Sequence, residues 1–132
     1  MKYGVTFRVI GAITVLTALI IISGLFTLRI LQKDSEKLTA GIESIRNDIR
    51  SGKWDHASET LHDISKDWDS TKKTWSTLID HEEIDNIDMT FARLKAFLEA
   101  EDTSSALSEA TMLIKSITHI PEREKLSLDN LF

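Results

Sequence analysis

Residues Trp54 to Leu78 read WDHASETLHDISKDWDSTKKTWSTL. Trp54, Ala57, Leu61, Ile64, Trp68, Thr71, Trp75 and Leu78 follow one another in alternating steps of three and four. Such steps place side chains on one stripe of a helix, whereas a half-buried strand needs every second residue apolar. The stripe has the heptad form with which helices pack on helices. All three Trp of the chain lie on it. An aromatic ligand box and a packed core both use such a stripe. Each buried aromatic withdraws about 150–250 Å² from water, and this favours core for Trp54, Leu61, Trp68 and Trp75.

The same spacing recurs on either side. Upstream, Leu31, Leu38, Ile42, Ile45 and Ile49 predict a helix over 29–50, which Ser51-Gly52 ends. The Trp stripe predicts a second helix over 53–79. Ile84, Ile87, Phe91, Leu94 and Leu98, with Phe97 adjacent, predict a third over 82–100. Asp80, Glu82, Glu83 and Asp85 crowd its start, where the helix dipole favours negative charge. Asp102-Thr103 open a fourth over 103–119, carrying Leu107, Ala110, Leu113, Ile114 and Ile117. Pro121 is expected to stop that helix. A short amphipathic tail over 121–132 then follows, with Leu126, Leu128, Leu131 and Phe132 folding back on the bundle. The openings at Gly52–Ala57 and Asp102–Ala106 echo one another faintly. Their separation is too long for a tetratricopeptide repeat and fits two helical hairpins.

Val9 to Leu28, VIGAITVLTALIIISGLFTL, carries no charge. About twenty residues at ~1.5 Å rise span a ~30 Å hydrocarbon core. A cleavable signal peptide has an apolar region of only about 7–15 residues and a small-x-small cleavage site. The longer run here, ending in Ser23-Gly24-Leu25-Phe26-Thr27, reads instead as a retained signal anchor in contact with membrane lipid. Residues 1–8 form a short basic tail and 29–132 the helical domain. The expected architecture is all-α, a transmembrane helix continuing into an up-down four-helix bundle of antiparallel helices.

Lys2, Arg8 and Arg29 are the only charges before Lys33, and all 21 acidic residues lie from Asp34 onward. The resulting anionic domain repels polyanions, so nucleic acid is not an expected partner. A count of Lys and Arg on the two flanks would hold the domain inside the cell. Long domains translocate regardless of charge, however, and the N-terminal tail carries no acid. The expectation is a single-pass cell-membrane protein with its N-terminus in the cytoplasm and the helical domain outside. The chain has no Cys and one Pro. Disulfides, thiolate nucleophiles and Cys-based metal sites are thereby excluded.

Several stretches carry a family resemblance. Trp54, Trp68 and Trp75 precede Leu78-Ile79-Asp80-His81-Glu82-Glu83-Ile84-Asp85-Asn86-Ile87. Ala92-Arg93-Leu94-Lys95, His119-Ile120-Pro121-Glu122 and Ser127-Leu128-Asp129-Asn130-Leu131-Phe132 extend the likeness to the last residue. Over nearly its whole length the chain resembles the bacterial family catalogued as domain of unknown function 4363. The resemblance implies a small membrane-anchored helical protein of Gram-positive, often spore-forming, bacteria. It also implies a gene lying beside that of another membrane-protein family. It supplies no activity, cofactor or catalytic residue.

Chemistry is sparsely signalled. In an up-down bundle the second and third helices turn near the membrane, and the fourth ends there. Asp80, His81, Glu82 and Asp85 are thus drawn towards His119. Two imidazoles with carboxylates can ligate a divalent metal such as zinc, making His81, Asp85 and His119 metal candidates. Their spacing matches no zinc motif, and Asp80, His81, Asp85 and His119 read better as a polar latch or plain surface. His56 and His62 read as solvated. No phosphate loop, HExxH or nucleophile elbow is present, and no cofactor or enzymatic activity is expected. The favoured function is a scaffold or interaction module binding a neighbouring membrane protein. The alternative is a membrane-anchored sensor of a small ligand or divalent metal. Heptads fit an intramolecular bundle or a homodimer seam equally well, and both stay open.

Overall fold

Between Leu28 and Leu31 no Gly or Pro interrupts the chain, and the apolar run passes into the first amphipathic seam as one helix. A computed structural model describes residues 2–131 as four helices, α1 (Lys2–Arg50), α2 (Trp54–Trp75), α3 (His81–Glu99) and α4 (Thr103–Leu131). Among the described residues there is no strand. The helix α1 has 49 residues, of which Leu31, Ser35, Leu38, Ile42, Ile45, Asp48 and Ile49 are buried. Its apolar half is long and apolar enough to cross a membrane, and none of that window is buried.

Each helix packs on its neighbours in chain order, and α4 closes the ring against α1. The core is drawn from the predicted seams, with Leu78, Phe97, Leu107 and Ile114 only partly buried at its margin. Leu61, Trp68, Trp75, Ile84, Ile87, Phe91, Leu94, Leu113 and Ile117 are all buried. Trp68 meets Trp75 edge-on with centroids 5.6 Å apart and stacks on Phe91 at 6.1 Å. Such pairs add about 0.5–1.5 kcal/mol beyond burial. Trp54 departs from the expectation. It is only partly buried, packed against the margin of the core, because as the first residue of α2 it has no helical turn before it.

Gly41 shows how closely α1 and α2 approach. A Cβ there would lie 2.5 Å from Ile64 Cδ1 and 2.8 Å from its Cγ1. The missing side chain is the hole into which Ile64 fits.

Two turns at the far end are built alike. After α1, Gly52 takes φ 70°, its N–H donating to Ile49 O and that of Lys53 to Asp48 O. After α3, Glu101 takes φ 52°, with Glu101 N–H donating to Leu98 O and Asp102 N–H to Phe97 O. Both are Schellman closures, in which one left-handed residue satisfies the last carbonyls of a helix.

Helix ends shift from the predicted ones. α2 stops at Trp75, not 79, as the Ser76 and Thr77 hydroxyls bond the carbonyls of Lys72 and Thr74 and draw the chain into a turn. α3 begins one residue early, at His81. The larger correction concerns α4, which does not stop before Pro121 but runs through it to Leu131. Proline removes one backbone donor from a helix, yet Ile120 and Pro121 are buried against the bundle, and this packing offsets the loss. The expected tail is therefore helix. Its leucines do not all fold back, since Leu126 and Leu131 are exposed and only Leu128 is half-buried, seated on Gly24. Phe132 lies outside the described residues.

Candidate functional site

At the corner where α2 turns into α3, no hydrogen bond or ion pair among the described residues joins Asp80, His81, Asp85 and His119 to one another. Asp80 adopts extended backbone before α3, and its carboxylate accepts the Glu82 N–H at 3.2 Å. His81, Asp85 and His119 are exposed. Among the described residues no three His, Asp or Glu side chains are grouped to hold a metal ion. The contact that ties this corner is Glu83 to Arg123, with Nη1 to Oε1 at 3.2 Å. Because α4 continues past Pro121, Arg123 lies one turn beyond His119 and reaches Glu83 on α3. Ile79, Asp80, Glu83, Ile120 and Arg123 line a shallow cleft of about 220 Å³ there.

Two buried indoles hold the helices in register. Trp68 Nε1–H donates to Asp88 Oδ1 on α3 at 2.7 Å, and Lys72 Nζ stands 3.2 Å from the other oxygen of that carboxylate. Trp75 Nε1–H donates to Asp34 Oδ2 on α1 at 3.1 Å. Seven residues apart on one stripe, the two Trp thus bind carboxylates on opposite neighbours. On the outer face of α3, Arg93 pairs with Glu109 of α4 at 3.0 Å.

The opposite end carries a wider cleft of about 490 Å³, lined by Asp48, Lys53, Trp54, Asp55, His56 and Glu101 among others. Its inner wall is Asp48, buried, whose Oδ2 lies 2.6 Å from His56 Nδ1. His56 is exposed, as the sequence reading has it, and one of its ring nitrogens is in addition tied to α1. Beside this cleft Asp102 opens α4. The Ser105 hydroxyl, then the Ser105 N–H and the Ser104 N–H, hold its carboxyl below the usual aspartate range.

A family model described as Domain of unknown function (DUF4363) matches residues 25–131. The chain belongs to this family. No curated protein and no solved structure matches it. The DUF4363 match starts at Leu25, near the end of the apolar run, and takes in the bundle with every pairing described above. It also takes in the stretch of α4 beyond Pro121, so the DUF4363 unit ends as a helix lying along α1.

The carboxylate partners Asp34, Asp88 and Asp48 and the cation Arg123 escaped sequence reasoning. One rule pointed to the first two, for a buried indole N–H requires an acceptor. With 21 acidic residues in the chain, that rule alone does not select which.

Proposed function

We propose that this protein is a membrane-anchored, non-enzymatic scaffold that binds a neighbouring membrane protein. The observation carrying the reading is the division of α1. One half walls the bundle, while the other exposes apolar side chains on every side, with Ile10 56%, Leu16 60% and Ile20 59% accessible. Apolar surface of that extent needs a cover, and a bilayer with a partner helix supplies it. The open, shallow clefts support a binding role better than a catalytic one, because catalysis calls for enclosed, convergent groups.

Purification of the full chain under gentle solubilisation should bring down a membrane protein in fixed ratio, and deletion should lower that protein's level. Recovery of the chain alone, with all membrane-protein levels unchanged, would overturn the reading. The proposed orientation keeps Lys2 and Arg8 in the cytoplasm and the bundle outside. Since the chain has no Cys, Ser104→Cys provides a unique thiol. It should react with a membrane-impermeant reagent on intact cells. Labelling only after lysis would place the bundle inside.

A further inference from the structure

We propose that the last two turns of α4, Lys125 to Leu131, lie in the membrane–water interface and give the protein a second lipid contact beside its span. The inference rests on the anchor reading of α1.

Depth is fixed by one contact. A Cβ on Gly24 would sit 2.6 Å from Leu128 Cδ2, so α4 rests directly on α1 at Gly24. Gly24 belongs to the uncharged run Val9–Leu28. The helices are antiparallel, and Leu131 therefore reaches roughly 4.5 Å further along α1 at ~1.5 Å per residue. At this level both helices expose large apolar side chains. Ile22, Leu25 and Phe26 of α1 are 62%, 55% and 67% exposed, and Leu126 and Leu131 of α4 are 63% and 67% exposed. Among the described residues nothing in the bundle covers this collar. The bilayer that receives the rest of α1 meets it at the same height, and that continuity selects lipid as the occupant.

Lys125, Asp129 and Asn130 share these turns and are exposed. They keep the segment out of the hydrocarbon and in the headgroup layer, roughly 5–7 Å thick on each side. There, apolar side chains bury among acyl ends while a lysine extends to the phosphates. The polar residues in turn set how deep α1 sits, with the hydrocarbon boundary near Gly24 instead of Leu28. Val5 and Phe7, both exposed, are thereby drawn into the other end of the span, with Arg8 reaching back to the surface.

The test uses the full chain in phosphatidylcholine vesicles, with one fluorophore at a time on L126C, L131C, S104C or L16C. Nitroxides are carried on the lipid either near the headgroup or deep in the acyl chain. Labels at L126C and L131C should be quenched by the shallow nitroxide roughly twofold or more over S104C, and L16C chiefly by the deep one. Iodide quenching of L126C and L131C equal to that of S104C, with L16C still quenched from the acyl chain, would overturn this inference and leave the anchor standing. Shielding of both from lipid and water alike would also overturn it, assigning the collar to a second copy of the chain. Failure of the deep nitroxide to reach L16C would overturn the anchor and this inference together.

Discussion

Trp75 Nε1–H on α2 donates to the carboxylate of Asp34 on α1 at 3.1 Å, joining the last turn of one helix to the point where the other leaves its apolar run. Trp75 is wholly buried while Asp34 is half-buried, so only water entering at the margin of the core could stand in for a lost acceptor. Asp34→Ala should therefore cost about 1–3 kcal/mol, the usual penalty for orphaning a buried donor. Asp34→Asn keeps an acceptor oxygen and should lose clearly less. Denaturant unfolding of the full chain in micelles, followed by Trp emission, provides the measurement. Equal midpoints for Asp34→Ala and the parent would show that the bond contributes nothing.

Gly41 and Ile64 make a reciprocal pair. Gly41→Ala gains roughly 1 kcal/mol of helix propensity. It also forces a methyl to 2.8 Å from Ile64 Cγ1, an atom that is not a free side-chain end. Overpacking of this kind costs about 1–3 kcal/mol, so net destabilisation is expected. Ile64→Val alone should cost about 0.5–1.5 kcal/mol, yet in the Gly41→Ala background it should be neutral or restorative. Simple additivity in the double-mutant cycle would count against the hole.

Glu101 occupies a backbone conformation that elsewhere in this protein is given to Gly52. A left-handed non-glycine residue costs about 1–2 kcal/mol. Glu101→Gly should thus recover close to 1 kcal/mol after the added entropy of the unfolded chain. Gly52→Ala should lose a comparable amount, and purely through φ, since nothing lies within 4 Å of its would-be Cβ. Thermal midpoints of the two variants should move in opposite directions.

Asp102 introduces a modest acid sensitivity. Its folded pKa is depressed by the Ser105 and Ser104 hydrogen bonds, so folding favours the carboxylate. That contribution is fully present above the ordinary aspartate value of ~3.9 and disappears as pH falls through the lower folded value. Asp102→Asn should be less stable than the parent at neutral pH, with the gap closing only below about pH 4. A gap that stays constant into acid would mean that the charge is not what caps α4.

Fold was legible because it is written in periodicity, and the stripe from Trp54 to Trp75 needed no partner to declare itself. What failed was local chemistry judged without neighbours. Pro121 looks like a terminator when its cost is counted alone, and only the burial of Ile120 and Pro121 reverses the balance. That one misjudged end also hid the Arg123–Glu83 pair and left His119 as the apparent partner of α3. Asp48 and His56 lie eight residues apart across a turn whose left-handed Gly52 determines where they point, and spacing alone does not encode that meeting.

Helix α1 passes from Lys2 to Arg50 with no proline and no break at the edge of its apolar run. If α1 crosses a bilayer as proposed, it is a lever without a hinge, and the bundle must follow whatever inclination the span adopts. A tilt of ~20°, common for spans, swings the turns about 22 residues above the apolar run sideways by roughly 11 Å. A partner gripping the span would in this way reposition the Asp48–His56 cleft without touching it, and a change in bilayer thickness would do the same.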